Sequence, residues 1–259
     1  MFLSDFPRAA GDFGLYLAAR PLLRRRAPRG DGHPVLVLPG LMADDLSTRP
    51  LRRYLRGLGY HVHGWRLGRN VGPTTKVVTG LAARLDDLKE RHGRKISIIG
   101  WSLGGIYARE IALRRPEDVR QVITLGSPFR MTDPSLSRAT RTYQRYAKRH
   151  VPDADQLRRG ATGEPLAVPA TSIYSKLDGI VAWRTCLDDD GPSAENVAVI
   201  GSHTGLGVNP AALWVIADRL AQPEGEWKPF EPPRAARRLF PRQVPAVAAG
   251  KVDSSHGTA

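Results

Sequence analysis

Apolar residues along the chain fall into two alternating patterns. Short continuous runs at 34–38 (PVLVL), 61–65, 96–99, 119–125 and 170–174, with a further one at 197–200, read as buried strands. Between them, apolar positions recur every three or four residues, which predicts helices over 50–56, about 75–91, 106–113 and 210–220. In the second of these, Val78, Leu81, Leu85 and Leu88 share one face. The ends carry helix signals: Ser47 or Thr48 before the first helix with Gly57 and Gly59 after it, and Thr74 or Thr75 before the second with Gly93 after it. Strands alternating with helices predict an α/β fold, a mostly parallel sheet with helices on both faces. In such sheets the reacting groups gather at the carboxyl ends of the strands.

Three stretches depart from this rhythm. Residues 129–168 hold no convincing strand, carry eight arginines and lysines between Arg130 and Arg159, and place Leu136, Ala139, Tyr143 and Ala147 near helical spacing. They read as a helical insertion over the active edge, a candidate lid. Residues 1–32 read as an irregular amphipathic helix whose apolar side (Phe2, Phe6, Phe13, Leu17) is expected to pack on the domain rather than on lipid. From 222 to 259 the chain is rich in Pro, Ala, Arg and Gly, as in a docked strap followed by a disordered end. The main domain is thus expected over 33–221.

Composition narrows the function classes. The 259 residues suffice for a large core, and no run reaches the roughly 18 apolar residues of a membrane span. Asp5, Arg8 and Asp12 interrupt the terminus where a signal peptide needs its apolar run, so a cytoplasmic protein is expected. Cys186 is the only cysteine, which excludes an intramolecular disulfide and a cysteine-clustered metal site. A net charge of +14 favours anionic surfaces, with a phospholipid membrane as a candidate partner. The arginines form no aromatic-interleaved stripe and no nucleic-acid module, so nucleic acid is not expected as a partner.

The chemistry centres on Gly100-Trp101-Ser102-Leu103-Gly104, which sits between a strand and a helix. In that context G-x-S-x-G makes a tight turn that pushes the serine outward, with Gly100 and Gly104 leaving room for it. The Leu103 N–H, at the helix start, is placed to meet a developing oxyanion. A serine hydroxyl needs an imidazole to take its proton and a carboxylate to orient that imidazole. His203, between Gly201 and Gly205 just past a strand, is the best placed of seven histidines. Asp178 follows the preceding strand at the same edge; Asp188, Asp189, Asp190 and Asp133 compete with it for the acid's role.

At these residues the chain resembles the α/β-hydrolase superfamily, most nearly its bacterial triacylglycerol-lipase and esterase branch. The order Ser102, Asp178, His203 is that family's order of nucleophile, acid and base, and the resemblance spans about residues 33–220. It implies oxyanion donors at the backbone N–H groups of Leu41 and Leu103, and a lid at about 129–168. Many members carry histidine where this chain has Pro39. The implied activity is hydrolysis of a carboxylic ester of lipid-like or apolar acyl character, with no cofactor or metal. The alternatives are an acyltransferase using the same residues, or a silent basic binding protein on the same fold.

Overall fold

In the computed structural model, which describes residues 2–131, 134–151, 159–189 and 191–241, six strands and six helices form the framework. The strands are β1 (Pro34–Leu38), β2 (His61–Gly64), β3 (Ile96–Trp101), β4 (Val119–Leu125), β5 (Ala170–Tyr174) and β6 (Ala194–Ala198). The helices are α1 (Phe2–Arg26), α2 (Arg49–Gly57), α3 (Thr75–His92), α4 (Leu103–Arg114), α5 (Thr140–Arg145) and α6 (Pro210–Ala221). All six strands run parallel, in the order β2-β1-β3-β4-β5-β6.

Both faces of the sheet are covered, which is why its strands are apolar without alternation. Val35, Val37, Ile99, Ile123 and Ile173 pack beneath α1, α2 and α6, through side chains such as Tyr16, Leu51 and Leu213. Leu36, Leu38, Ile98 and Val122 face α3 and α4, meeting Leu81, Leu85 and Tyr107. β1, β4 and β5 coincide with the apolar runs. Helix α3 starts as read, with Thr74 accepting a hydrogen bond from the Val77 N–H, but it buries Val77 where Val78 was expected. Thr48 precedes α2 without capping it; its hydroxyl donates to the Asp45 carbonyl instead.

Other differences have identifiable causes. β2 stops at Gly64 because the Asp45 carboxylate takes the N–H groups of Trp65 and Arg66, turning the chain away. β6 runs earlier than expected and Ile200 lies exposed. Its polar Glu195 is what the rest of the chain builds on: it accepts hydrogen bonds from Thr171, Arg219 and the Phe230 N–H, which docks the strap along this edge. Phe230 and Phe240 then pack with their rings tilted and centroids 5.1 Å apart. The end beyond 241 lies outside the described residues.

The insertion is more fragmented than its spacing suggested. α5 is its one α-helix among the described residues, flanked by single 3₁₀ turns at Pro134–Leu136, Ala147–Arg149 and Arg159–Ala161. The largest departure is α1. Phe13 and Leu17 point outward, whereas Asp5, Asp12, Tyr16 and Leu23 face the domain. The side chains of Phe2 and Phe6 lie outside the described set. The inversion arises because the two carboxylates find enough donors in the domain to be buried at low cost.

Candidate active site

Ser102 occupies the single-residue turn between β3 and α4, with φ 53° and ψ −120°. A side-chain-bearing residue at positive φ is strained, and the strain persists only where the surroundings enforce it. Here the Ser102 N–H is held by the Leu125 carbonyl at 2.8 Å. At Gly104 a Cβ would come within 2.5 Å of the Leu38 carbonyl oxygen, so the helix can approach the sheet this closely only with glycine there. Leu103 is the first residue of α4, so its N–H precedes the helix's internal hydrogen bonds.

The loops after β5 and β6 bring Asp178 and His203 together. His203 Nδ1 lies 2.6 Å from Asp178 Oδ2, and both side chains are almost wholly buried. The other carboxylate oxygen, Oδ1, accepts the N–H groups of Ile180 and Val181, each at 2.8 Å. Two anchored oxygens leave the acid no freedom to turn. The competing acids are engaged elsewhere. Asp188 forms a buried ion pair with Arg109 at 2.5 Å, and that guanidinium lies 4.1 Å over the Phe129 ring. Asp189 pairs with Arg130. Asp190 and Asp133 lie outside the described residues. The remaining described histidines are also placed elsewhere: His33 bonds Asp31 and Ser97, His63 bonds His92, His61 lies with its ring against His92, and His150 reaches the Val71 carbonyl. Burial pushes His33 down to about 4, against the pull of Asp31.

Leu41 sits in the loop after β1, and this loop is clamped by a fully buried Asn70. Asn70 donates its side-chain amide to the Pro39 carbonyl (2.9 Å) and its N–H to the Ala43 carbonyl (2.8 Å); its carbonyl accepts from Met42 N–H (2.7 Å). Met42 is thereby held at φ 63°. The loop that carries Pro39 thus has its own fixing device.

Sequence reasoning missed Asn70, and it missed the two residues that hold the His203 loop. Asp5 Oδ1 accepts from the N–H groups of His203 (3.0 Å) and Gly179 (3.3 Å). Its Oδ2 accepts from the Thr204 N–H (3.0 Å) and hydroxyl (2.5 Å). Burial raises this carboxyl's pKa, but the donors from Thr204, His203 and Gly179 outweigh it and hold the group below its usual 3.8. Asp12 takes the N–H and hydroxyl of Ser202 and the Asn209 side-chain amide. From the other side, Trp101 Nε1 donates to the His203 carbonyl at 3.1 Å. The available signal was the seven-residue spacing of Asp5 and Asp12, the only two acids of the helix, two turns apart on one face.

Ser102, Leu41 and Leu103 open onto a cavity of about 420 Å³. Its walls are mostly apolar, with Ile106, Tyr107, Pro128 and Val181 from the domain and Met131, Ala139 and Tyr143 from the insertion. Among the described residues no Asp, Glu, Lys or Arg lines it. Arg141, Arg145, Lys148 and Arg149 of the insertion are exposed to solvent. Among the described residues no three His, Cys, Asp or Glu side chains are grouped to hold a metal ion.

By sequence, no protein-family model and no curated protein matches the chain. By structure, it has the α/β-hydrolase fold. It is similar to Aspergillus fumigatus lipase B, with a TM-score of 0.59 and 17% identity over 76% of this chain and 54% of that one. A metagenome-derived lipolytic enzyme aligns with a TM-score of 0.55 and 18% identity, over 74% of this chain and 93% of the other. The mouse α/β hydrolase domain-containing protein 10 aligns with a TM-score of 0.53 and 17% identity, over 75% and 92%.

Proposed function

We propose that the chain is a serine hydrolase acting on carboxylic esters with apolar acyl groups. The observation that carries this reading is the Asp178–His203 pair. With both Asp178 oxygens anchored, the proton on His203 is held at Nδ1, so Nε2 keeps the lone pair that a base requires. In this reading Ser102 Oγ attacks the ester carbonyl while Nε2 takes its proton. The oxyanion forms against the N–H groups of Leu41 and Leu103. Collapse expels the alcohol, which receives the proton from His203. A water then gives its proton to His203 and attacks the acyl group on Ser102, releasing the acid and restoring the serine.

The mostly apolar lining of the cavity supports an apolar acyl chain, since among the described residues no Asp, Glu, Lys or Arg stands there to pair with a charged group. The lipolytic neighbours agree with the same substrate class. Hydrolysis of p-nitrophenyl esters of increasing chain length tests the proposal. Turnover efficiency is expected to rise from acetate to medium-length chains and to fall to background in Ser102→Ala. Equal rates for parent and variant at every length would refute it.

A further inference from the structure

We propose that the outward face of α1 is a docking surface for anionic phospholipid. Helix α1 turns both of its carboxylates, Asp5 and Asp12, into the domain, and its outer surface therefore carries no negative charge. Phe13 (44% exposed) and Leu17 (52%) border that surface on one side, and Leu15 (62%) and Leu22 (61%) on the other. The last turn presents Arg24, Arg25 and Arg26, all exposed and without an ion pair among the described residues. Half-exposed apolar side chains ending in a cluster of cations suit a helix lying in the headgroup region, its apolar groups among acyl chains and its arginines against phosphates. No described helix is long and apolar enough to cross a membrane, so α1 would lie on the surface rather than span it.

The insertion is the less suitable contact, although it too is basic. Its apolar residues Ala139 and Tyr143 line the cavity, and among the described residues its exposed side chains are mostly polar or charged. Helix α1 is also tied to the site. Asp5 holds the loops of Asp178 and His203, and Arg8 donates to the carbonyl of Leu177, itself exposed, at 2.6 Å. A surface that receives α1 is therefore brought beside the edge where the proposed chemistry takes place. The excess of cations over acids in the whole chain adds long-range attraction to such a surface.

The test is co-sedimentation with vesicles of phosphatidylglycerol and phosphatidylcholine, and with vesicles of phosphatidylcholine alone, at low and high salt. Binding is read without turnover, so the hydrolase proposal and this one can fail separately. The parent is expected to bind the anionic vesicles preferentially and to lose that preference at high salt. Replacing Arg24, Arg25 and Arg26 together by Glu should weaken binding about 10²-fold. The pair Phe13→Ser and Leu17→Ser should weaken it about tenfold, in a protein whose circular dichroism shows it folded at the assay temperature. Three results would overturn the proposal: equal binding to neutral and anionic vesicles, parental binding by the arginine variant, or no vesicle binding together with a dimer that Phe13→Ser and Leu17→Ser dissolve. The last would mean that a second copy covers this face.

Discussion

Replacing Asp5 by Asn tests whether α1 holds the His203 loop. The carboxylate is fully buried and receives four donors, two on each oxygen. An amide is nearly isosteric but keeps one acceptor oxygen, so two donors would face an NH₂ group. Hydrogen bonds to a charged acceptor contribute about 1.5–3 kcal/mol each, and a buried donor left unmet costs about 1–3 kcal/mol. The expected destabilisation at neutral pH is therefore about 3 kcal/mol, read from denaturant unfolding. Esterase kcat should fall about 10²-fold, the scale for misplacing a reacting group by about 1 Å. The pH dependence supplies an independent check. Because the folded carboxyl lies below its usual 3.8, its stabilisation is complete above that value and is lost as pH falls through the lower folded one. The amide cannot lose it, so the gap between parent and variant should close on acidification. A variant within about 0.5 kcal/mol of the parent at pH 7, with unchanged kcat, would refute the reasoning.

Asp178→Asn should lower kcat by about 10⁴, because the amide would favour the wrong tautomer of His203; Asp188→Asn should instead lower stability through the unpaired Arg109, with turnover per folded molecule retained. A larger turnover loss at Asp188 would move the acid there. Gly126, at φ 53°, lies under the pair: an added Cβ would stand 3.1 Å from His203 Nδ1 and 3.2 Å from Asp178 Oδ2. Gly126→Ala should therefore reduce kcat about tenfold or more by displacing the pair, and activity within twofold of the parent would contradict that placement.

The parts of the fold that rest on local pattern were legible. Runs such as PVLVL at β1 and VRQVITL at β4 can be buried on both sides only within a covered sheet, and their bounds agree with the structure. The elbow was legible because its strand, turn and helix are contiguous. β6 was misplaced because Glu195 and Asn196 look like loop residues until their partners Arg219, Phe230 and Asp188 are known. The orientation of α1 was misread for the same reason. Apolar periodicity cannot show that Asp5 and Asp12 meet donors from residues 179 and 202–209, far along the chain. Asn70 likewise lies between glycine-containing turns, and its role depends wholly on the loop it clamps. The insertion's helical spacing was real only in part, since Ala139 and Tyr143 face a cavity rather than another helix.

The central claim is that Ser102 is an activated nucleophile. Incubation with a fluorophosphonate probe, followed by peptide mapping, measures this directly, because phosphonylation requires attack by an activated hydroxyl at the phosphorus. The account predicts labelling confined to Ser102, abolished in Ser102→Ala and strongly slowed in Asp178→Asn. A folded parent protein that takes no label, or takes it equally at other serines, would contradict it.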